Sequence, residues 1–239
     1  MKYLEKIAII FFDIIDKYFH QKKILKFLNN NLKNIDIFFD IGSHKGTYTD
    51  LIISNFKVNK VIMAEPQRNI YHYIKKKYKR KKNMMIYNNA ISDKRKIQTL
   101  YINKHDLTSS LTKMDMKNKY LNLKAQLFGV TINKMILKKC RIKSYKLIDL
   151  IKKNNIKKID LLKIDTEGHE LQVLIGAGFF MKKNIKYILI EFHNSNIFLN
   201  YDAEKIHKYL KKNNFVLRRA FKFPFTTWED RIYQNKYYN

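Results

Sequence analysis

From residue 35 onward the chain alternates unbroken apolar runs with stretches of helical period, and few folds satisfy that pattern. The runs are IDIFFDIG (35–42), KVIMAEP (60–66), MMIYNNAIS (84–92), IDLLKID (159–165) and IKYILIEFH (185–193). They read as strands buried on both faces. Residues 47–55, 69–78, 147–153, 167–180 and 202–213 read as helices. Strands alternating with helices predict an α/β chain with a mostly parallel sheet covered on both faces. Residues 97–103 alternate and predict an extra antiparallel strand, and 215–223 with 230–235 predict a closing hairpin. Residues 104–140 show no clear period. Ligands of such sheets sit at the carboxyl ends of the strands. The candidate site is therefore spread over residues 40–42, 65–66, 89–90, 165–169 and 191–193.

Two prolines and six glycines in 239 residues leave no room for a flexible linker. One domain is expected over 35–239, preceded by an amphipathic helical extension over 1–34. In it Leu4, Ile7, Ile10, Phe11, Ile14, Ile15 and Phe19 fall near helical spacing within residues 3–28. That face is expected to pack on the domain, with contact to a membrane surface or a partner as the alternative. The apolar run 7–12 ends at Asp13 and is too short to span a bilayer. Asp13 and Asp16 interrupt any signal-peptide pattern. A single cysteine, Cys140, excludes an internal disulfide and a cysteine-based zinc site, and a cytoplasmic setting is expected. The formal charge is +29, but the lysines are scattered among frequent Asn, Ile, Tyr and Phe, as in AT-rich coding sequence. The densest run, 75–82, falls in a turn between a helix and a strand. No RNA-binding aromatic signature or zinc-finger spacing is present, so specific nucleic-acid binding is not expected.

The first strand end reads DIGSHKGTY (40–48), a D-x-G-x-x-x-G pattern rather than a dinucleotide fingerprint. Gly42 and Gly46 let the backbone approach a ligand, with Ser43 between them and Asp40 placing a carboxylate beside the loop. Glu65, before Pro66 at the end of the next strand, suits the two hydroxyls of a ribose. Asn89 and Ala90 end the third strand. A carboxylate beside the loop fits a cationic adenosine cofactor better than a pyrophosphate, and S-adenosylmethionine has those features.

The most charged stretch is DLLKIDTEGHE (160–170). Alternation puts Lys163 and Asp165 on one face of the strand. Asp165 or Thr166 is expected to cap the following helix, where Glu167, Glu170, Leu171, Leu174, Ile175 and Gly178 form the sheet-facing stripe. His169 falls off that stripe, towards the side or solvent. Buried ion pairs rarely outperform apolar residues of the same volume, so these charges mark a candidate site. Lys163 is expected to keep the carboxylates ionised. The candidates for acceptor positioning or base work are Asp165, Glu167, His169, Glu191 and His193. Asp165, Glu191 and His193 also offer ligands for a divalent ion.

DIGSHKG, AEP, NNAISD, the SSL at 109–111, LLKIDTEGHELQVLIGA and IEFH together resemble the FkbM family of S-adenosylmethionine-dependent methyltransferases over about residues 35–220. The resemblance implies a class I methyltransferase (Rossmann-like) fold, seven strands with the last antiparallel, and O-methylation, typically of a sugar or polyketide hydroxyl. The family's D-x-G-A-N-x-G loop has Asn where this chain has His44. The T-L-D that often precedes the charged block is replaced by SYKLID, which displaces Asp149. Two rival readings are an RNA ribose-hydroxyl methyltransferase and an inactive methyltransferase-fold scaffold. Against other nucleic-acid methyltransferases, no Asn/Asp-Pro-Pro-aromatic motif is present and Cys140 does not follow proline.

Overall fold

The computed structural model describes residues 14–103, 109–127, 136–224 and 226–238. In chain order its elements are α1 (Gln21–Asn31), β1 (Ile35–Ile41), α2 (Thr47–Asn55), β2 (Val58–Ala64), α3 (Arg68–Lys77), β3 (Met84–Tyr87), β4 (Ala90–Ser92) and β5 (Lys96–Asn103). There follow α4 (Lys119–Leu127), β6 (Ile136–Lys146), α5 (Leu147–Lys153), β7 (Ile159–Ile164), α6 (Glu170–Ala177), β8 (Ile185–His193), α7 (Ala203–Lys212), β9 (Phe215–Lys222) and β10 (Trp228–Asn235). Seven strands form one sheet in the order β3-β2-β1-β7-β8-β10-β9. β10 runs antiparallel to both neighbours, and the pairings from β3 to β8 are parallel. The order reverses between β1 and β7, and the cleft opens at that switch point.

The apolar runs are apolar because both faces are covered. Phe39, Ile62, Leu162 and Ile188 pack with α5, α6 and α7 on one face. Their neighbours Phe38, Val61, Leu161 and Leu189 pack with α1, α2 and α3 on the other. The helix expected over 3–28 extends to Asn31; residues 3–13 lie outside the described residues. Ile24 and Leu28 are fully buried among the strand residues of that second face. Burial of each contributes about 1.5–3 kcal/mol. Gln21–Asn31 thus packs on the domain, but the stripe expected to do so does not hold together: Ile14 (47%) and Phe19 (60%) are exposed, and its members before residue 14 lie outside the described residues. Among the described residues, no helix is long and apolar enough to cross a membrane.

Three expectations change. The run 84–92 is two strands, broken at Asn88 and Asn89, and only the first joins the main sheet. The side chain of Asn88 is occupied in the turn, donating to the carbonyls of Glu65 and Pro66 (2.9 and 3.1 Å). The extra strand, β5, is antiparallel as expected but lies in a separate three-stranded sheet, β4-β6-β5. The region without clear period supplies α4 and β6; residues 104–108 and 128–135 lie outside the described residues.

Candidate active site

The cofactor side is built from two strand ends. After β1 the chain turns at Gly42 (φ 80°), whose N–H donates to the carbonyl of Ala64 at 3.0 Å. A Cβ on Gly42 would stand 1.7 Å from the carbonyl oxygen of Asp165, so this close approach admits only glycine. His44 has φ 43°, a region in which Asn and His are enriched several-fold. That accounts for His standing where the family pattern has Asn. Gly46 (φ 75°) starts α2 and packs on Tyr78, whose hydroxyl donates to the Gly46 carbonyl.

Glu65 is 3% exposed and lines the cleft. Its Oε2 accepts from His44 N (2.9 Å) and its Oε1 from Gln67 N (2.7 Å). Burial pushes its carboxyl up to about 7 against the pull of those two donors. Each oxygen retains a lone pair for a further donor. Ser43, Pro66, Asn89 and Ala90 line the same cleft. Ser43 is 5% exposed, and its Oγ has no hydrogen-bond partner among the described residues.

Asp40 sits differently from its expected place. It is fully buried and absent from the cleft lining, because its register pairs it with Lys163 one layer below the tips. Its Oδ2 accepts from Thr49 Oγ1 (2.6 Å), and its Oδ1 lies 4.0 Å from Lys163 Nζ. It supports the loop from beneath.

At the β7 end, Lys163 Nζ lies 2.8 Å from Asp165 Oδ2 and 4.7 Å from the centre of the Tyr48 ring. Burial pushes the Asp165 carboxyl up, but Lys163 and a hydrogen bond from Glu191 outweigh it and hold it below its ordinary value. Glu191 goes the other way: burial, then the charges of Asp165 and Glu167, push it well up. The two environments thus push the pair apart, Asp165 towards the carboxylate and Glu191 towards the acid. Register puts Asp230 beside Glu191, which extends a row of carboxyl groups across β7, β8 and β10.

The charged block does not all serve the cleft. Glu167 (φ 53°) and Gly168 (φ 88°) are left-handed, so the helix starts at Glu170 rather than 167 and neither Asp165 nor Thr166 caps it. Glu170 is fully buried, and its Oε1 accepts from Thr166 N (3.0 Å) and Gly168 N (3.1 Å). It holds the turn. His169 lines the cleft but is buried, bonded to Ser92 Oγ (2.9 Å) and contacting Thr112 Oγ1 at 3.3 Å, rather than facing solvent. Burial lowers its pKa to about 4, which makes it a weak base. His193 is buried against Phe198 and Tyr201, and does not line the cleft. The set that gathers ligand atoms within 4.8 Å is Glu167, Glu191 and His193; Asp165 does not belong to it.

Sequence spacing gave no sign of four cleft residues: Asp16 and Gln21 from the first helical segment, Trp228 and Asp230 from β10. His20 ties the two ends together, its Nε2 lying 2.9 Å from Asp230 Oδ2. Among the described residues, the finished cleft is lined by the carboxyl groups of Asp16, Glu65, Asp165, Glu167, Glu191 and Asp230, against one lysine, Lys163. A chain of formal charge +29 has thus placed its acids around the cleft.

A sheet of this order, with a glycine turn and an acidic strand end at its switch point, defines the Rossmann-like fold of class I methyltransferases. Residues 40–217 match the model of the methyltransferase FkbM domain, and the chain belongs to that family. The methyltransferase FkbM from Methylobacillus flagellatus KT is similar in structure, with 14% identity and a TM-score of 0.54. The match covers 84% of this chain but only 44% of that longer one. The putative methyltransferase yhhF of Escherichia coli gives 11% identity and a TM-score of 0.48, over 91% of this chain and 85% of that one. M. capricolum TrmK, solved with S-adenosyl-homocysteine, gives 10% and 0.49, over 89% and 67%. No curated protein matches the chain. The family implies S-adenosylmethionine as cofactor. The donor set fits it: Glu65 for ribose hydroxyls, the Ser43 hydroxyl, and carboxylates for a sulfonium and an ammonium.

Two results follow. Glu65→Ala removes the acceptor for both hydroxyls and should weaken S-adenosylmethionine binding by about 1.5–3 kcal/mol, the scale of hydrogen bonds to a charged group. Calorimetry measures it directly. The second concerns pH. Asp16 at about 6, and Glu65 and Glu170 at about 7, lie above their unfolded values of 3.8 and 4.5 because of burial. Their contribution is present at low pH and is lost as pH rises through the folded values. His169, lowered from 6.5 to about 4, opposes this below about pH 6.5 and is silent above it. Three acids outweigh the one histidine, so the thermal midpoint of the ligand-free protein should fall from about pH 4.5 to 7 and level off above that. Glu65→Gln should flatten that decline in a thermal-shift series.

Proposed function

We propose that the protein is an S-adenosylmethionine-dependent O-methyltransferase acting on a hydroxyl of a sugar, glycan or related small molecule. The acidic cleft carries this reading: it favours a cofactor with positive charge and disfavours ligands with phosphate. The same lining ranks an RNA ribose acceptor behind, and any nucleic-acid association is expected to be non-specific and salt-sensitive.

When bound, S-adenosylmethionine supplies an electrophilic methyl group on a sulfonium. The chain must orient the acceptor oxygen in line and manage its proton. Asp165 is suited to this because it is ionised and lines the cleft. Lys163 holds its Oδ2, which fixes the carboxylate for the acceptor O–H. The anionic charge also stabilises the positive charge that develops on the acceptor oxygen. Glu191, whose carboxyl is pushed up by burial and by Asp165, shares a hydrogen bond with Asp165. Glu167 stands beside them on a left-handed turn that Ser110 Oγ pins through the Glu167 carbonyl. Glu167, Glu191 and His193 also offer the ligand set for a divalent ion, and no step above depends on it.

The test is transfer from isotopically labelled S-adenosylmethionine to a panel of glycans, read by mass spectrometry. Label should appear as an alkali-stable methyl ether. Label confined to RNA, or found on carboxyl or ring nitrogen, overturns the reading.

A further inference from the structure

We infer that the two ends of the chain build the acceptor-binding wall of the cleft, and that this wall selects an acceptor carrying an amino group. The inference rests on the methyl-transfer reading above.

Asp16 and Gln21 precede β1, and Trp228 and Asp230 lie on β10, yet all four line one cleft. They stand on the side formed by α1 and β10, across from the glycine turn of β1. The wall is rigid. His20 lies 2.9 Å from Asp230 and packs its ring against Phe223 and Trp228, each at 5.2 Å. Phe223 stacks on Trp228 at 4.3 Å.

Both carboxylates present one oxygen in reserve. Asp16 accepts from Gln21 Nε2 at 2.6 Å through Oδ2, and Asp230 meets His20 through Oδ2. Among the described residues, Oδ1 of each has no hydrogen-bond partner, and Asp230 is only 6% exposed. Lys163 makes its ion pair with Asp165, 2.8 Å away, and acts on Asp16 and Asp230 only through space. Two carboxylate oxygens and an indole are a set that attracts an ammonium group, by charge-assisted hydrogen bonds and by the ring's negative face. A neutral polyol would meet the hydrogen bonds but bring no positive charge to an acidic wall, and an acidic sugar would add repulsion.

The experiment uses the full chain saturated with S-adenosylhomocysteine and measures binding of the methyl glycosides of glucosamine, glucose and glucuronic acid by NMR titration. The amine should bind about tenfold or more tighter than the neutral sugar, the scale of a hydrogen bond to a charged group, and the acid weakest. Asp16→Asn and, separately, Trp228→Leu should bring the amine towards the neutral sugar, with thermal unfolding showing that each variant is folded. Equal binding of the three glycosides overturns the inference, as does an amine preference that survives both substitutions. If the amine binds with this preference but no glycoside is methylated, the wall stands and the O-methylation reading falls.

Discussion

Asp165→Asn should lower methyl transfer by about 10²-fold or more, the usual scale for losing a general base. It should leave S-adenosylmethionine affinity within a few-fold. The amide keeps the shape and loses the charge that receives the acceptor proton. Stability should suffer modestly, because Lys163 loses its nearer partner, 2.8 Å away, while Asp40 at 4.0 Å remains. A buried cation stripped of every partner would cost about 3–5 kcal/mol; one that keeps a carboxylate should cost less. Thermal unfolding and single-turnover transfer on the same preparation separate the two effects. Full turnover in the variant would show that the Lys163–Asp165 pair serves only the fold. The same preparation could test Glu191→Gln, which keeps a donor to Asp165 and should be far milder.

Gly42→Ala should be the most damaging single methyl group in the chain. The new Cβ would lie 1.7 Å from the carbonyl oxygen of Asp165, a backbone atom that cannot rotate away. The residue also sits at φ 80°, where a Cβ alone costs about 1–2 kcal/mol. Relief requires β1 and β7 to separate at their tips, where Asp165 N donates to Ile41 O at 3.0 Å. Cofactor binding should fall below detection by calorimetry, and the thermal midpoint should drop. Gly178→Ala is the control: φ is 60° there too, but nothing lies within 4 Å of a Cβ, so only the backbone strain remains. If the two variants behave alike, the close approach of the two strand ends does not govern the cleft.

The α/β class, the strands of the main sheet and the gathering of Gly42, Ser43, Glu65, Pro66, Asn89 and Ala90 at one cleft were legible in the letters alone. These follow from local rules. A strand buried on both faces must be apolar throughout, and a turn against another backbone must be glycine, so residues 35–42 and 60–66 carry their structure in their letters. Local rules misplaced what depends on register. Asp40 reads as a cleft residue, but its pairing with Lys163 buries it, where Thr49 donates to Oδ2 and Lys163 stands 4.0 Å from Oδ1. The helix after β7 reads as starting at Glu167, but two left-handed residues delay it. Glu170 is thereby turned into the anchor of the loop, and Glu167 is left in the cleft. His169 reads as lying towards the side or solvent, yet it is buried with Ser92 2.9 Å from its ring, 77 residues away in the chain. The acidic wall was not legible at all. His20 meets Asp230 across 210 residues, and no spacing or periodicity relates them. Only the tertiary structure decided that wall: β10 inserts antiparallel beside β8, and α1 packs over its end. Contacts made by strand order rather than by neighbours in sequence leave no local signature.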